Sequence, residues 1–273
     1  MMSPLSAFAI LAATVLLFTL LGIGHVRRRG LSLDDHLVCR NQTGTGVGLA
    51  TVTASAIGAW VLFSPAETAT WAGMAGIAGY ALGQAAPLFL LAWLGPRLRE
   101  RMPDGCALHE YAQHRYGPRL RRFTLALVLF YLFVFLAAEI TAIALAVRLL
   151  ADVPLAWTAI VVTAGTVAYT GYGGLRASIF TDRIQFAMIL PLLAAVFLGA
   201  LARLGGPAAA FHRAAAASPQ LFSWRHAAGI EFGFTLIIAI TAANLFHQGF
   251  WQRVYAGRDT PTVRRTYAYS GLI

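Results

Sequence analysis

The chain has 273 residues, 58% of them hydrophobic and 12% charged, and a mean hydropathy of +0.67. A soluble globule of this size could not hide that balance from water, so the composition describes an integral membrane protein. All 21 basic residues are arginine against 11 acidic ones, but the +10 charge sits in loops between apolar runs, and no nucleic-acid partner is expected.

The first apolar run, Leu5 to Gly24, has the length of a bilayer span, and Arg27, Arg28 and Arg29 follow it instead of preceding it. That order is the reverse of a cleaved signal peptide. It reads as a retained lead helix, residues 1–26, with its amino terminus outside. Further runs of spanning length are Gly46 to Ala66, Trp71 to Leu94, Phe123 to Leu150, Leu155 to Thr170, Phe186 to Ala202 and Ile230 to Phe246. With an eighth starting near Tyr267, this gives seven spans and a stub. If the first helix runs inward, the cytoplasmic segments hold 17 arginines, and the outer side keeps only Arg148, Arg203, Arg213 and Arg225. This positive-inside distribution describes a multi-pass protein of the cell (inner) membrane. In the longest inner loop, Gly95 to Arg122, residues Leu108, Tyr111 and Ala112 share one face of a short helix before a Gly-Pro stop. Cys39 and Cys106 have neither metal-ligand spacing nor an oxidising compartment and receive no role.

Within the spans, the second is a candidate broken helix. Gly44, Gly46, Gly48 and Gly58 loosen it, and Ser64-Pro65 is expected to interrupt it before Glu67. Free carbonyls persist in a bilayer only where protein or a water-filled cavity satisfies them, and unwound half-helices of this kind coordinate sodium in secondary transporters. The same pattern also fits a tolerated proline kink packed through small residues. Thr51, Ser55 and Gly58 fall on one helical face, and Trp60 lies near mid-span, where it either stacks on a solute or simply packs. In the seventh span, Asn244 and Gln248 stand one helical turn apart beside Gly249, suited to bonding another helix or a polar solute. His247 reads as an orienting or interfacial residue, because no second ligand stands at metal spacing. Glu139, mid-helix in the fourth span, must be paired, protonated or facing water. Glu67 and Glu231 lie near the outer interface. Asp182 lies beside Arg176 and Arg183, which suits either a structural ion pair or a sodium path.

The stretch Tyr169 to Gln185 puts Gly173, Gly174, Leu175, Ala177, Thr181, Asp182 and Gln185 in a polar hinge between two apolar runs. Together with Ala54 to Trp60, the Leu108 to Gly117 element and the Gln248, Gln252-Arg253 run, it resembles the sodium:solute symporter family. The resemblance implies an all-α polytopic membrane protein in a single transmembrane domain, 1–273. It comprises the lead helix, a first five-helix repeat over 44–203, and the start of an inverted second repeat over 228–273. The second and seventh spans, the two candidate broken helices, then occupy equivalent positions in the two repeats. The resemblance also places the main-chain carbonyls of Ala54 and Ile57 at a sodium site, Trp60, Asn244 and Gln248 against the solute, and Asp182 on the inner ion route. Ala56 lacks the aspartate of the proline branch, and Ala243 stands where the sugar branch has its gating tyrosine, so neither proline nor sugar is supported. The family's sodium site also needs hydroxyls from a later helix, so a missing carboxy-terminal half is expected.

The expected function is sodium-coupled symport of a small polar solute, incomplete in this chain alone. The alternative is a transporter-like sensor module with a fused signalling domain. The partners are the solute and the lipid bilayer; no cofactor is expected beyond sodium as coupling ion. The spans carry no His-Glu-x-x-His, Gly-x-Ser-x-Gly or paired-aspartate motif, so no enzyme is expected.

Overall fold

A computed structural model describes residues 3–30 and 32–273. Met1 and Met2 of the expected lead segment, Leu31, and the side chain of Arg29 lie outside the described residues. The protein is an all-α polytopic membrane protein: among the described residues five helices are long and apolar enough to cross a bilayer.

Helix α1, Pro4–Arg29, starts at Ser3, whose hydroxyl accepts the Ser6 N–H. The short α2, Leu33–Leu37, opens with a capping box between Ser32 and Asp35. Helix α3, Thr45–Ala56, then runs into a break at Ile57 and Gly58, a 3-10 turn over Ala59–Leu62, and α4, Ser64–Arg101. The second span is therefore broken as expected, but not at Ser64-Pro65. Pro65 lies in the first turn of α4, where its missing N–H leaves no bond unmade, so it starts a helix instead of interrupting one.

Two of the long helices are each two legs joined at one glycine. In α4, Gly73 (φ 62°, ψ −156°) separates a short leg carrying Trp71 from the long one, so the expected third span starts after Trp71. Helix α7, Leu155–Arg203, has 49 residues and would measure roughly 74 Å if straight, over twice the hydrocarbon thickness of a bilayer. Gly174 (φ 54°, ψ −145°) folds it into two, and a Cβ there would collide with the carbonyl of His36. The expected polar linker from Tyr169 to Gln185 is thus helical on both sides of a single kinked residue. Helix keeps the backbone hydrogen bonds satisfied where a loop in lipid would leave them open.

The remaining elements are α5, Leu108–Tyr116, the short helix expected before the Gly-Pro stop; α6, Pro118–Ala151; α8, Pro207–Ala217, followed by a 3-10 turn over Pro219–Phe222; α9, Ala227–Asn244; α10, Gln248–Ala256; and α11, Thr260–Leu272. The closest helix pairing is α4 on α9. Gly76, Gly79 and Gly83 meet Gly229, Gly233 and the Leu236 backbone, and a Cβ at Gly79 would strike Gly233. Small residues here replace hydrophobic burial, which drives no association inside lipid.

The arginine-bearing segments collect at one end. Arg40 donates to the carbonyls of Pro103, Asp104 and Gly105, and Arg99 to Asn41 and the Arg258 carbonyl. Arg176 donates to Gly30, Asp35 and Gln42, and Thr43 forms an isolated bridge with Gly257. At the opposite end Ala7 packs with Ala151 and Val153, and His226 bonds the Trp71 carbonyl.

Candidate functional site

The first break is built by a failed helical ladder. Its last bond runs from the Ile57 N–H to the Thr53 carbonyl at 2.9 Å. Gly58 is extended, and the Ala59 N–H, which would have reached Ser55, turns to Glu139 Oε2 of α6 at 2.8 Å. The carbonyls of Ala54, in the last turn of α3, and of Ile57, just past it, are left without their helical partners. Glu139 Oε1 is buried with no hydrogen bond and presses on Gly58, where a Cβ would collide with it.

The second break, between α9 and α10, closes on itself. Phe246, His247 and Phe250 donate their N–H groups to Ala243, Asn244 and His247, and the Trp251 indole donates to the Leu245 carbonyl at 2.6 Å. His247 is buried between the rings of Phe135, Tyr131 and Phe250, as an orienting residue would be.

Between the breaks lies a cavity of about 280 Å³. Ser55, Ala56 and Trp60 form its wall at the first break, and Ile240, Ala243, Asn244 and Phe250 form the wall at the second. Tyr80 and Gln84 of α4 and Tyr131 and Phe135 of α6 complete it. Asn244 is fixed by accepting from the Tyr131 hydroxyl at 3.2 Å and donating to the Ile240 carbonyl at 3.0 Å. Trp60 is oriented by Tyr80, with ring centroids 5.8 Å apart.

Trp60 and Asn244 are thus brought together across one cavity, whereas Gln248 stands apart from it. The expected shared face of Asn244 and Gln248 does not form, because the helix breaks between them and rotates the second half. Gln248 Nε2 donates to the Cys106 carbonyl at 2.8 Å, joining α10 to the loop before α5.

Asp182 is buried one face below the first break, two turns past the Gly174 kink. Its ion-pair partner is neither Arg176 nor Arg183 but Arg253 of α10, at 2.7 Å. The Thr51 hydroxyl donates to the same Oδ2, and Arg253 Nε donates to Thr51 Oγ1 at 2.8 Å, closing a triangle. Arg253 also reaches Ser178 and the Gly249 carbonyl. Three elements, α3, α7 and α10, meet there, so the helix that enters the first break is fastened to the helix that leaves the second. Asp182 and Arg253 are 71 residues apart, a pairing that local spacing does not reveal.

Outside the spans, burial pushes the Cys39 thiol up to about 11. Burial, reinforced by the Glu110 carboxylate that accepts from Cys106 Sγ at 3.0 Å, pushes the Cys106 thiol to about 12. Both thiols are therefore held in the protonated form at neutral pH, the less nucleophilic one. Burial alone would raise the Asp35 carboxyl, but hydrogen bonds from Gln42 and Ser32 and the Arg176 charge bring it below its ordinary value.

Two discontinuous helices flanking a half-open cavity lined by aromatic, apolar and a few polar side chains, in an all-α membrane protein, form the architecture found in secondary carriers with broken helices. The chain belongs to the sodium:solute symporter family, whose model matches residues 36–272. It is similar to the spermidine transporter DUR31 of Candida albicans, with 29% identity over 230 residues that cover 83% of this chain and 43% of that relative. The chain therefore spans less than half the length of the curated relative it matches.

Proposed function

We propose that the chain forms the solute-binding part of a sodium-coupled carrier for a small organic amine of the polyamine kind. The observation that carries this is the cavity between the two breaks, with Trp60 on one wall and Asn244 on the other. Its size suits a small solute. The rings of Trp60, Tyr80 and Tyr131 supply faces that attract an ammonium group, and Ser55, Gln84 and Asn244 supply acceptors for its hydrogens. Glu139, bonded next door to Trp60 at Ala59, supplies the only carboxylate at that break among the described residues. The name of the Candida relative favours the same solute class.

Sodium is assigned to the carbonyls of Ala54 and Ile57, since a hard cation needs oxygens that the protein has not already paired. Asp182 is assigned to the inner ion route. Both of its bonds fall on Oδ2, and exchange of the Arg253 contact for a passing sodium would loosen α10 from α7. The arginine-bearing end is assigned to the cytoplasm of the cell membrane, with the amino terminus outside.

The test is uptake of radiolabelled spermidine into proteoliposomes holding the full gene product, under an inward sodium gradient. Uptake that requires sodium and is inhibited by excess unlabelled spermidine is expected. Equal uptake with sodium replaced by choline overturns the coupling, and no uptake of any amine overturns the solute class.

A further inference from the structure

Away from the central cavity, a second hollow of about 500 Å³ opens on the side of the protein at the arginine-bearing end. Its wall is apolar and aromatic: Trp93, Leu94 and Leu98 of α4, Tyr111 of α5, Phe246 of the second break and Trp251 of α10. Two arginines of α4, Arg97 and Arg101, stand at its end. Arg97 lies over the Trp93 ring, 4.2 Å from the centroid, and donates to the Trp93 carbonyl at 2.8 Å; Arg101 reaches the Tyr111 hydroxyl at 3.5 Å. Among the described residues neither forms an ion pair, although most other arginines of this end that touch α2, α3 or α10 do so or bond carbonyls in clusters. Two cations are therefore held side by side, unneutralised, at the mouth of an apolar groove.

From this juxtaposition we infer that the groove between α4, α5 and α10 is a binding site for an anionic phospholipid. Its acyl chain lies along Leu94, Leu98 and Trp251, and its phosphate bridges Arg97 and Arg101. The chemistry matches at both ends. Tryptophan and tyrosine favour the headgroup level of a membrane, where an amphipathic ring satisfies both phases. Basic pockets between helices at that level hold acidic headgroups. Guanidinium groups also grip phosphate oxygens through paired donors; phosphatidylcholine offers the same phosphate but sets its own cation beside the arginines, whereas phosphatidylglycerol leaves a net negative charge for them. Because Phe246 and Trp251 belong to the second break and its following helix, the lipid would brace the half of the cavity that carries Asn244. The inference does not depend on the solute or on sodium.

The experiment is native mass spectrometry of the purified chain equilibrated with phosphatidylglycerol and phosphatidylcholine of identical acyl chains. Wild type is expected to retain phosphatidylglycerol in preference, and R97Q/R101Q to lose that preference by on the order of tenfold. The control R119Q/R122Q removes the same charge from the start of α6, outside the groove, and is expected to leave it unchanged. Retention unaffected by R97Q/R101Q overturns the site. Equal loss in both double variants shows a general basic surface and overturns it as well. Displacement of phosphatidylglycerol by excess inorganic phosphate would assign the arginines to a free anion instead of a lipid.

Discussion

At the first break the helix ends with carbonyls that have lost their partners, and the displaced Ala59 N–H is taken by a carboxylate from another helix. At the second, the N–H groups of Phe246, His247 and Phe250 find carbonyls three residues back, and an indole closes the Leu245 carbonyl. The first break is thus an oxygen-rich gap that depends on α6 for its shape, and the second is a self-contained turn wrapped in aromatic rings. Breaking a helix in lipid is tolerated only where the freed groups are satisfied, and each solution leaves a different surface facing the cavity. The first offers oxygen to cations, and the second offers a positioned amide and ring faces.

The two breaks are tied at one place, the triangle of Thr51, Asp182 and Arg253, and the largest effect is expected there. R253A strands a buried carboxylate and should destabilise the protein by about 3–5 kcal/mol, read as a fall in thermal unfolding temperature in detergent. Adding D182N should recover part of that loss, because the stranded charge is gone. If the double variant is no more stable than R253A, the pair is not what joins the breaks.

A smaller effect is expected from the carboxylate that distinguishes the first break. E139Q can still accept the Ala59 N–H but loses its charge, so KM for spermidine should rise by roughly tenfold or more, the worth of a charged hydrogen bond. Uptake of a neutral amide by the same variant should change much less. An equal change for both solutes would make Glu139 a strut for the break alone.

W60A and N244A, one on each wall, should each raise KM by about fivefold, from loss of a cation–π contact of about 1 kcal/mol and of a neutral hydrogen bond of similar worth. Q248A should leave KM close to wild type, since Gln248 holds the loop at Cys106 and stands outside the cavity.

The first break and the kink at Gly174 have signatures in the sequence, and the second break has none of its own. The glycines around Gly58 and the Gly173-Gly174 pair mark where the backbone leaves the helical path, because conformational permissiveness belongs to the residue itself. The arginine distribution shows which loops share an end, and the hydrogen bonds of Arg40, Arg99 and Arg176 gather them there. Pro65 misleads, because proline breaks a helix in its interior and favours one at its first turn, and position alone decides between them. Asn244 and Gln248 mislead in the opposite way: their spacing puts them on one face only in a continuous helix, and Leu245, Phe246 and His247, where it breaks, include neither proline nor glycine. Arg253 as the partner of Asp182, Tyr131 as the support of Asn244, and Glu139 as the cap of Ala59 all depend on which helices become neighbours. Hydrophobic periodicity reports that a face is apolar without saying what it meets.

The smallest effect expected is at the arginine-bearing end, where α2 is docked on the α7 kink through Asp35 and Arg176 at 2.7 Å. The folded carboxyl of Asp35 lies below its ordinary 3.8, so its contribution is fully present above that value and fades as pH falls through the lower folded one. Hydrogen exchange of α2 should therefore be unchanged between pH 5 and pH 8, after correction for intrinsic rates. Faster exchange already at pH 5 would show that the pair does not hold α2.

The central claim, that both breaks line one solute site, is tested most directly by solute protection of single cysteines on its two walls. S55C and A243C each line the cavity, while A78C lines a separate hollow beside α8, and the raised thiols of Cys39 and Cys106 stay silent toward a maleimide at neutral pH. The account predicts that spermidine with sodium slows labelling of S55C and A243C alike and leaves A78C unaffected. Protection of one wall without the other, or of neither, would contradict it.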